Sequence, residues 1–452
     1  MRAWTPEQVA RAAAARILVP PPTQAGPERF VIDSREAGPG ALFVGLKGAT
    51  LDGGKFAPQA LAARAWGVLT TPEHAEAAKC APPGVLIAAD DPLQALQRLA
   101  NAWRRALGAK VIGVTGSTGK TSTKDILLAI LTPHRRTVAS RENFNTEIGL
   151  PLEILDTPAG TEVLVLEMGM RGRGQIAELA SIAEPDVAVI VSVGPVHLEL
   201  LGTVEAIAAA KAELIEALKP GGVSVIPANE PLLEPHIRAD VITVTFGEGG
   251  DARLTRADEA QVEIELHDER LTLEVPFTQA HLRQNLLAAV AAARAVGVTP
   301  GGAIELALSP GRGQRIRLPD GVTVIDDCYN ANPMSMRAAL DDLAATAAAA
   351  EPARRIAVLG DMLELGPDER RFHLEIGRHA SAVGVDVLVT VGRLAAAMAG
   401  DFDGEVHLVA NAADAASLLP DLLQPRDVVL VKASRGVGLE LVCRALAEGA
   451  PA

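Results

Sequence analysis

Aromatic residues and cysteine are scarce in this sequence. Aromatic side chains make up 3% of its 452 residues, and Tyr329 is the single tyrosine. Stacking platforms for nucleic-acid bases are therefore not expected. Cysteine occurs only at Cys80, Cys328 and Cys443, far apart and without a metal-binding spacing. Because three such cysteines cannot form a disulfide framework, they favour a reducing, cytoplasmic compartment.

Positive charge and long apolar runs are also in short supply. Lys and Arg total 42 against 56 Asp and Glu, a formal net charge of −14. A chain this acidic is not expected to bind nucleic acid or an anionic membrane through its overall field. The apolar run 286–298 contains Arg294 and is too short to span a bilayer. The first 20 residues lack the apolar segment of a secretory signal, so neither a membrane nor a nucleic-acid partner is predicted.

Length and hydrophobic pattern predict three α/β domains. At roughly 150 residues per domain, the chain is long enough for about three. Residues 1–108 are predicted to form a small mixed α/β domain. From residue 110, apolar strands alternate with helices as in a doubly wound parallel sheet, and a Rossmann-like α/β region follows from 319. The predicted domains are 1–108, 109–318 and 319–452. The main predicted strands are 162–167, 187–193, 223–226, 241–246, the hairpin 262–266 and 271–275, then 322–325, 356–359, 386–391, 405–409 and 427–431.

The strongest local signal is a Gly-rich loop that follows the predicted strand 111–114 and opens a predicted helix over 120–131. The backbone N–H groups of such a loop form an anion site, its lysine faces the β- and γ-phosphates, and the next hydroxyl can ligate Mg²⁺. A strict P-loop would have glycine where this chain has Val114, but an incidental turn is the less favoured interpretation. The central region is thus predicted to be a P-loop ATPase domain that binds ATP or GTP. The loop residues are Thr115, Gly116, Ser117, Thr118, Gly119, Lys120 and Thr121.

Further polar residues follow the strands on the same edge of the predicted sheet. Glu167 ends one strand and His197 lies just past the next. Because open parallel sheets bind ligands beyond the carboxyl ends of their strands, these residues and Thr121 could converge on one or two magnesium ions. Each alone would be commonplace. Lys211, in an Ala-rich helical stretch, has the pattern of a solvated helix charge.

The third region carries three polar clusters after its strands. Each residue could be an N-cap or turn residue, but three clusters on one edge predict a cleft. A nucleotide site facing such a cleft suits a reaction that joins a phosphate-activated group to a second substrate. The pattern alone leaves a ligase, a kinase and a nucleotide-gated switch open. The clusters are Asp326 and Asp327 with Asn330 and Asn332, Asp361 with Glu364, and Lys432 with Ser434 and Arg435.

Over essentially its whole length the chain resembles the Mur ligases. The segments 326–340 and 358–366 are most similar to the branch that adds a dipeptide. The motifs that carry the resemblance are Asp33-Ser34-Arg35 and PGALFVGLKG (39–48); then GVTGSTGKTSTK (113–124), NFNTEIGLPL (143–152), LEMGMR (166–171), His197, KAEL (211–214) and the His281/Asn285 pair; and finally DDCYNANPMSMRAAL (326–340), VLGDMLELG (358–366) with His373, and VKASRGVGLE (431–440).

The resemblance implies a cytoplasmic, monomeric, ATP-dependent ligase with a small mixed N-terminal domain, a central P-loop domain and a Rossmann-like C-terminal domain. It would add D-alanyl-D-alanine to UDP-N-acetylmuramoyl-tripeptide through an acyl phosphate, in peptidoglycan precursor synthesis. The implied catalytic residues are Lys120, Glu167, His197 and Lys211. Two Mg²⁺ ions would be held by Thr121, Glu167, His197 and Lys211, the last matching a lysine that is carbamylated in related ligases. This reverses the pattern-based interpretation of Lys211.

Matching by position also implies three substrate sites, one for each domain. Where the family usually has Asp-Gly-His, this chain has Asp52-Gly53-Gly54, so any uridine contact by that histidine is absent. Whether the third peptide residue is meso-diaminopimelate or lysine stays open. Besides the loop 115–121, the ATP site would comprise Ser122, Asn285, Arg312 and Asp327; the UDP-sugar-peptide site Ser34, Arg35, Asn143, Asn145 and Thr146; and the dipeptide site Asp361, Lys432, Ser434 and Arg435.

Two alternatives remain beside the dipeptide-adding ligase. A sister ligase would add a single amino acid, or a glutamate to folate, and the segment 326–340 disfavours it. An ATP-gated binding protein would use the P-loop as a switch. Such a switch has no need of a second metal cluster, so Glu167, His197 and Lys211 together argue against it.

Overall fold

The computed structural model describes residues 1, 3–141, 143–349 and 353–448. In these ranges the chain forms three open β-sheets flanked by helices. In the first sheet, of order β1-β5-β4-β3-β2, strands β2 to β5 are parallel and β1 is antiparallel to β5. Its elements are α1 (Pro6–Ala12), β1 (Arg16–Ile17), β2 (Arg29–Val31), β3 (Ala41–Val44), α2 (Ala57–Ala62), β4 (Gly67–Thr70), α3 (Pro72–Ala77), β5 (Val85–Ala88) and α4 (Pro92–Leu107).

The second sheet has the order β15-β14-β13-β12-β11-β10-β9-β6-β8-β7. Strands β6 to β12 are parallel, β13 is antiparallel to both β12 and β14, and β15 is parallel to β14. Its elements are β6 (Lys110–Thr115), α5 (Lys120–Leu131), β7 (Thr137–Ala139), α6 (Gly149–Asp156), β8 (Val163–Glu167), α7 (Gln175–Ala183), β9 (Val187–Ile190), α8 (Leu198–Leu201), α9 (Val204–Glu216), β10 (Val223–Pro227), β11 (Ile242–Phe246), β12 (Ala252–Ala257), β13 (Gln261–Leu266), β14 (Glu269–Glu274), α10 (Ala280–Ala295) and β15 (Gly302–Ala303).

The third sheet has the order β16-β17-β21-β18-β19-β20, parallel except for β16. Strand β16 precedes the predicted boundary at 319 yet pairs with β17, so this sheet begins earlier than expected, at Gln314. Its elements are β16 (Gln314–Arg317), β17 (Thr323–Asp326), α11 (Pro333–Ala349), β18 (Arg355–Gly360), α12 (Glu369–Ala382), β19 (Val387–Val391), β20 (Glu405–Val409), α13 (Ala412–Leu422), β21 (Val428–Lys432) and α14 (Glu440–Glu448).

Helix α4 shows how local sequence sets an element that joins two sheets. The Asp91 side chain accepts the N–H of Gln94 at 3.0 Å as N-cap, Pro92 opens the first turn, and Gly108 ends the helix with φ +64°. Its apolar face contributes Leu99 and Trp103 to a core shared with α6 and α7. The first sheet is thus held against the second by common burial. No helix in the described part of the chain is long and apolar enough to cross a bilayer.

Glu184 ties the end of α4 to the turn after α7. The Arg105 Nε donates to its carboxylate at 3.0 Å, and this bond lowers the pKa of Glu184 to about 2. Because the folded-state pKa lies below the usual 4.5, the stabilisation is present above that value and is lost as the pH falls towards 2. We expect Glu184→Gln to lower the free energy of unfolding at pH 7 by about 1 kcal/mol, since solvent screens the pair. Urea denaturation should show a smaller difference in the free energy of unfolding between wild type and Glu184→Gln at pH 3.5 than at pH 7. A difference that does not depend on pH would contradict this prediction.

Candidate active site

The Gly-rich loop lies between β6 and α5, as the sequence predicts. Gly119 has φ +78°, in the left-handed region, and a Cβ there would lie 2.6 Å from Asn285 Oδ1 of α10 and 2.8 Å from Val191 Cγ1. Only glycine meets both conditions. The loop is held from beneath by the segment after β9, since Ser192 Oγ accepts the Thr118 N–H at 2.9 Å. The result is a fixed loop that leads into the N-terminus of α5, where no side chain caps the helix.

Lys120 and Ser122 occupy the first turn of α5. The Lys120 ammonium donates to Gly116 O at 2.9 Å, folding back over the loop. Burial lowers its pKa, and the nearby Glu167 charge opposes that effect. Ser122 is half-buried beside it. A half-buried cation over a loop of backbone N–H groups suits a polyphosphate.

Glu167 is the centre of a buried polar cluster at the end of β8. It accepts the Thr121 hydroxyl at 2.8 Å and the Asn145 amide at 2.9 Å. The Arg312 Nη2 donates to the same Thr121 oxygen at 3.1 Å. Burial raises the pKa of Glu167, but the charge of Lys120 and these hydrogen bonds outweigh it, so the pKa is lowered and the carboxylate stays ionised. The structure therefore brings together four of the predicted residues around one carboxylate.

Lys211 is not the solvated charge that its Ala-rich helix suggests. It lies in α9 with 2% of its surface exposed. In the part of the chain that the structure describes, no hydrogen bond or ion pair reaches its ammonium group. Burial, and then the charge of Lys120, hold the pKa of Lys211 well below its usual range. The helix pattern could not reveal this, because it does not say which face packs against the sheet.

The site fits an anionic nucleotide and a divalent cation. Lys211 is buried and Lys120 is half-buried. The positive charge of Lys120 lowers the pKa of Lys211, and the negative charge of Glu167 raises the pKa of Lys120. The buried Thr115 hydroxyl has no hydrogen-bond partner among the described residues. The oxygens of Thr121 and Glu167 are the hard ligands that Mg²⁺ prefers. A bound polyphosphate with its metal ion would supply counter-charges and hydrogen-bond acceptors that the described residues do not provide.

The polar edge of the third sheet faces the P-loop. Asn332 Nδ2 donates to Ser117 O at 3.3 Å, and the Tyr329 hydroxyl donates to Asn143 Oδ1 at 2.5 Å. The Arg312 guanidinium stacks on the Tyr329 ring at 3.9 Å, so Arg312 contacts both this ring and Thr121. The polar edge of the third sheet that the sequence predicts therefore contacts the P-loop and the segment before α6.

Asp327, Lys432 and Arg435 lie on this edge. Lys432 Nζ donates to Asp327 Oδ2 at 2.6 Å and to Asn330 O at 2.9 Å, both within the third sheet's own loops. The Arg435 guanidinium lies 5.0 Å from the centre of the Tyr329 ring. Lys432 thus holds the segment that carries Tyr329, and Arg435 remains on the exposed side of it.

Asp361 and Ser434 are engaged in local turns. The Asp361 carboxylate accepts the Ala395 N–H at 2.7 Å, and its backbone carbonyl accepts the Ser434 N–H at 3.0 Å. The Ser434 hydroxyl accepts the Leu363 N–H at 2.9 Å. The buried His373 accepts the Met362 N–H in the same loop at 3.0 Å. These contacts shape the loop after β18 and leave the Asp361 side chain turned towards the segment after β19.

The loop before α6 and the first domain hold the remaining predicted residues. Thr146 Oγ1 accepts the Gly149 N–H at 3.3 Å at the start of α6. Ser34 and Arg35 form a 3₁₀ turn after β2, where Asp33 accepts from Arg35. The Arg35 side chain is 85% exposed, and its guanidinium is ion-paired with Asp33.

A histidine occupies the space beside Gly54. A Cβ on Gly54 would lie 2.2 Å from His74 Cδ2, and His74 Nε2 lies 3.1 Å from Asp52 Oδ2. The imidazole of α3 therefore fills the volume that a side chain at position 54 would take. The sequence offered no signal for this, because His74 is on a different element from the motif.

These features define a three-domain α/β protein whose P-loop site is completed by its third domain. The chain belongs to the Mur ligase family. The Mur ligase middle domain matches residues 114–293, the glutamate ligase domain of Mur ligases matches 311–435, and the family's catalytic domain matches 29–104. The predicted family and fold class are both confirmed.

Curated relatives and solved structures are similar along nearly the whole chain. The UDP-N-acetylmuramoyl-tripeptide–D-alanyl-D-alanine ligase of Bacillus subtilis is 38% identical over 92% of each chain. That of Escherichia coli is 32% identical over 92% of this chain and 93% of its own. A crystal structure of MurF from Acinetobacter baumannii has a TM-score of 0.88 at 29% identity, covering 98% and 99%. MurF from Thermotoga maritima in complex with ADP has a TM-score of 0.81 at 32% identity, covering 93% and 97%.

Proposed function

We propose that this protein is an ATP-dependent ligase that joins D-alanyl-D-alanine to UDP-N-acetylmuramoyl-tripeptide. The products are UDP-N-acetylmuramoyl-pentapeptide, ADP and phosphate, in the synthesis of peptidoglycan precursors. The observation that carries the proposal is the cluster of half-buried Lys120 with buried Thr121 and Glu167 beside the polar edge of the third domain. The names of the full-length relatives support the choice of substrates. We place the enzyme in the cytoplasm, as a monomer.

In this proposal each domain provides the main part of one substrate site, and residues of a neighbouring domain complete the ATP and UDP-sugar-peptide sites. Residues 1–108 bind the UDP-sugar-peptide, 109–318 bind ATP, and 319–452 bind the dipeptide, with β16 added to the last. The ATP site comprises Thr115, Gly116, Ser117, Thr118, Gly119, Lys120, Thr121, Ser122, Asn285, Arg312 and Asp327. Ser34, Arg35, Asn143, Asn145 and Thr146 serve the UDP-sugar-peptide, and Lys432, Ser434 and Arg435 serve the dipeptide with Asp361 as a shaping residue.

The charges of the site match the chemistry. A carboxylate is a poor electrophile, and transfer of the γ-phosphoryl group gives an acyl phosphate with a good leaving group. This step gathers negative charge, which Lys120 and the N-terminus of α5 offset in the transition state. Two Mg²⁺ ions, held by Thr121, Glu167, His197 and a carbamylated Lys211, would supply the remaining positive charge.

The amide bond then forms without a covalent link to the enzyme. The uncharged amine of the dipeptide attacks the acyl phosphate, and the tetrahedral intermediate expels phosphate. Since the acyl phosphate is hydrolysed by water, the cleft between the second and third sheets has to exclude solvent while the dipeptide is bound. The contacts of Asn332 with Ser117 and of Tyr329 with Asn143 hold that cleft together.

Phosphate release with omitted components tests the proposal. We expect release from Mg-ATP only when UDP-N-acetylmuramoyl-tripeptide and D-alanyl-D-alanine are both present, with pentapeptide as the product. Assays that lack one component are the controls, and tripeptides ending in meso-diaminopimelate or lysine identify the third residue. Activity that requires a single amino acid or a folate instead would favour a sister ligase. ATP binding without release under any combination would favour a switch.

A further inference from the structure

Glu364 of the third domain contacts His197 of the second. His197 Nδ1 is hydrogen-bonded to Glu364 Oε2, and the Arg171 guanidinium lies 3.6 Å from the other carboxylate oxygen. The histidine and glutamate side chains are 27% and 34% exposed. The two residues are separated by 167 positions in the chain, so this pair exists only when the third domain is docked on the second.

His197 and Glu364 both have a backbone conformation that is unfavourable for a residue with a side chain. His197 has φ +52° and Glu364 has φ +63°, in the left-handed region that costs a residue with a side chain about 1 kcal/mol or more. Backbone packing fixes both: Glu199 N–H donates to Glu364 O at 3.4 Å, and a Cβ on Gly366 would lie 3.3 Å from Glu199 Cα. The turn after β18 therefore packs against α8.

The second ring nitrogen of His197 remains available. In the described part of the chain, no hydrogen bond reaches Nε2. The Ser117 hydroxyl of the P-loop donates to Gly194 O at 3.0 Å and accepts the Gly194 N–H at 2.9 Å, so the segment that leads to His197 is held against the P-loop site. A histidine that donates its Nδ1–H to a carboxylate keeps the Nε2 lone pair free for a cation, and such outer carboxylates fix the orientation of metal-binding histidines.

We propose that Glu364 is a positioning residue through which the third domain sets the tautomer and orientation of His197 for a divalent cation in the P-loop site. The inference rests on the proposed function. Its consequence is that the cation site is complete only while the third domain is docked, so that phosphoryl transfer waits for the domain that carries the dipeptide. Glu364 itself touches neither substrate nor cation.

The test compares Glu364→Ala with Glu364→Gln. The alanine variant removes the acceptor for the His197 N–H, whereas glutamine keeps an acceptor oxygen and loses only the charge. We expect the Mg²⁺ concentration for half-maximal ligation to rise about 10- to 100-fold in Glu364→Ala and to stay within about threefold of wild type in Glu364→Gln. KM for the UDP-sugar-peptide should not change in either. A purely electrostatic bridge would make the two variants equally defective, which would overturn the proposal.

A binding measurement separates this role from activity. Titration of Mn²⁺ into the protein with ADP, followed by electron paramagnetic resonance, should show an affinity about 10-fold or more weaker in Glu364→Ala. Wild-type affinity in that variant would overturn the proposal even if ligation fell. Asp341→Ala is the matched control, since it removes a similar contact to His379 at 2.7 Å within the third domain and should change neither readout. Wild-type protein that binds Mn²⁺ but does not ligate would contradict the proposed function instead.

Discussion

Lys120→Met is expected to lower kcat by about 10³-fold or more while the protein remains folded. The ammonium group lies across the loop at 2.9 Å from Gly116 O and is paired with no carboxylate at salt-bridge distance in the described residues. Methionine keeps the apolar stem and removes only the charge, so folding loses little. Without the ammonium group, the negative charge that the transferred phosphoryl group carries in the transition state is no longer offset by Lys120. Single-turnover phosphate release with all three substrates measures the effect.

Lys124 provides the contrast in the same helix. Its side chain is buried, and its ammonium donates to Ser140 O at 2.9 Å and lies 3.2 Å from Asp125 Oδ1. Lys124→Met leaves Asp125 as a buried charge without that partner, so we expect the melting temperature to fall much more than in Lys120→Met. If Lys120→Met melted early or kept its kcat, Lys120 would be a structural residue and the proposed role would fail.

The hydrophobic pattern predicted most strands of the second and third sheets but missed β4 and β5 of the first, although both are buried along their whole length. The helix at Lys120–Leu131 and the strand at Glu405–Val409 lie where the pattern placed them, and the hairpin is confirmed as β13 and β14. Strand β12 was missed because Thr255 and Arg256 are exposed and polar, and β16 because arginine occupies two of its four positions. Such strands form through pairing with a neighbour, which a local pattern cannot register.

Some residues of the site could likewise be predicted from the local sequence, whereas others depend on contacts between residues that are distant in the chain. The P-loop could be found because its chemistry is contained in seven consecutive residues. The partnership of His197 with Glu364, and that of His74 with Asp52, depend on elements that meet only in the fold. Family resemblance marked Lys211, but its complete burial followed from how α9 packs on the sheet.

Lys211→Ala is expected to reduce ligation by at least about 100-fold while sparing the fold. A lysine held uncharged by burial can add CO₂, which gives an anionic carbamate and releases one proton. Because the pKa of Lys211 is well below its usual range, the uncharged amine is more abundant than in an exposed lysine, and its share grows as the pH rises. Wild-type activity should therefore fall in CO₂-free buffer, most steeply at low pH, and return when bicarbonate is added. Intact-protein mass spectrometry in bicarbonate would detect the added CO₂.

Lys211 should make the pH dependence of wild-type stability opposite in sign to that caused by a lysine whose pKa is raised by an ion pair. Between the lowered folded pKa and the usual value of 10.5, the unfolded chain binds more protons, so wild-type stability rises with pH across that window. Lys211→Met fills the same space without an amine, and we expect it to lose this dependence and to be at least as stable as wild type at neutral pH. Its ligation activity should be as low as that of Lys211→Ala, and added bicarbonate should not restore it. Full activity in either variant would exclude the carbamate, and full activity of wild type without CO₂ would leave Lys211 acting only as a buried amine.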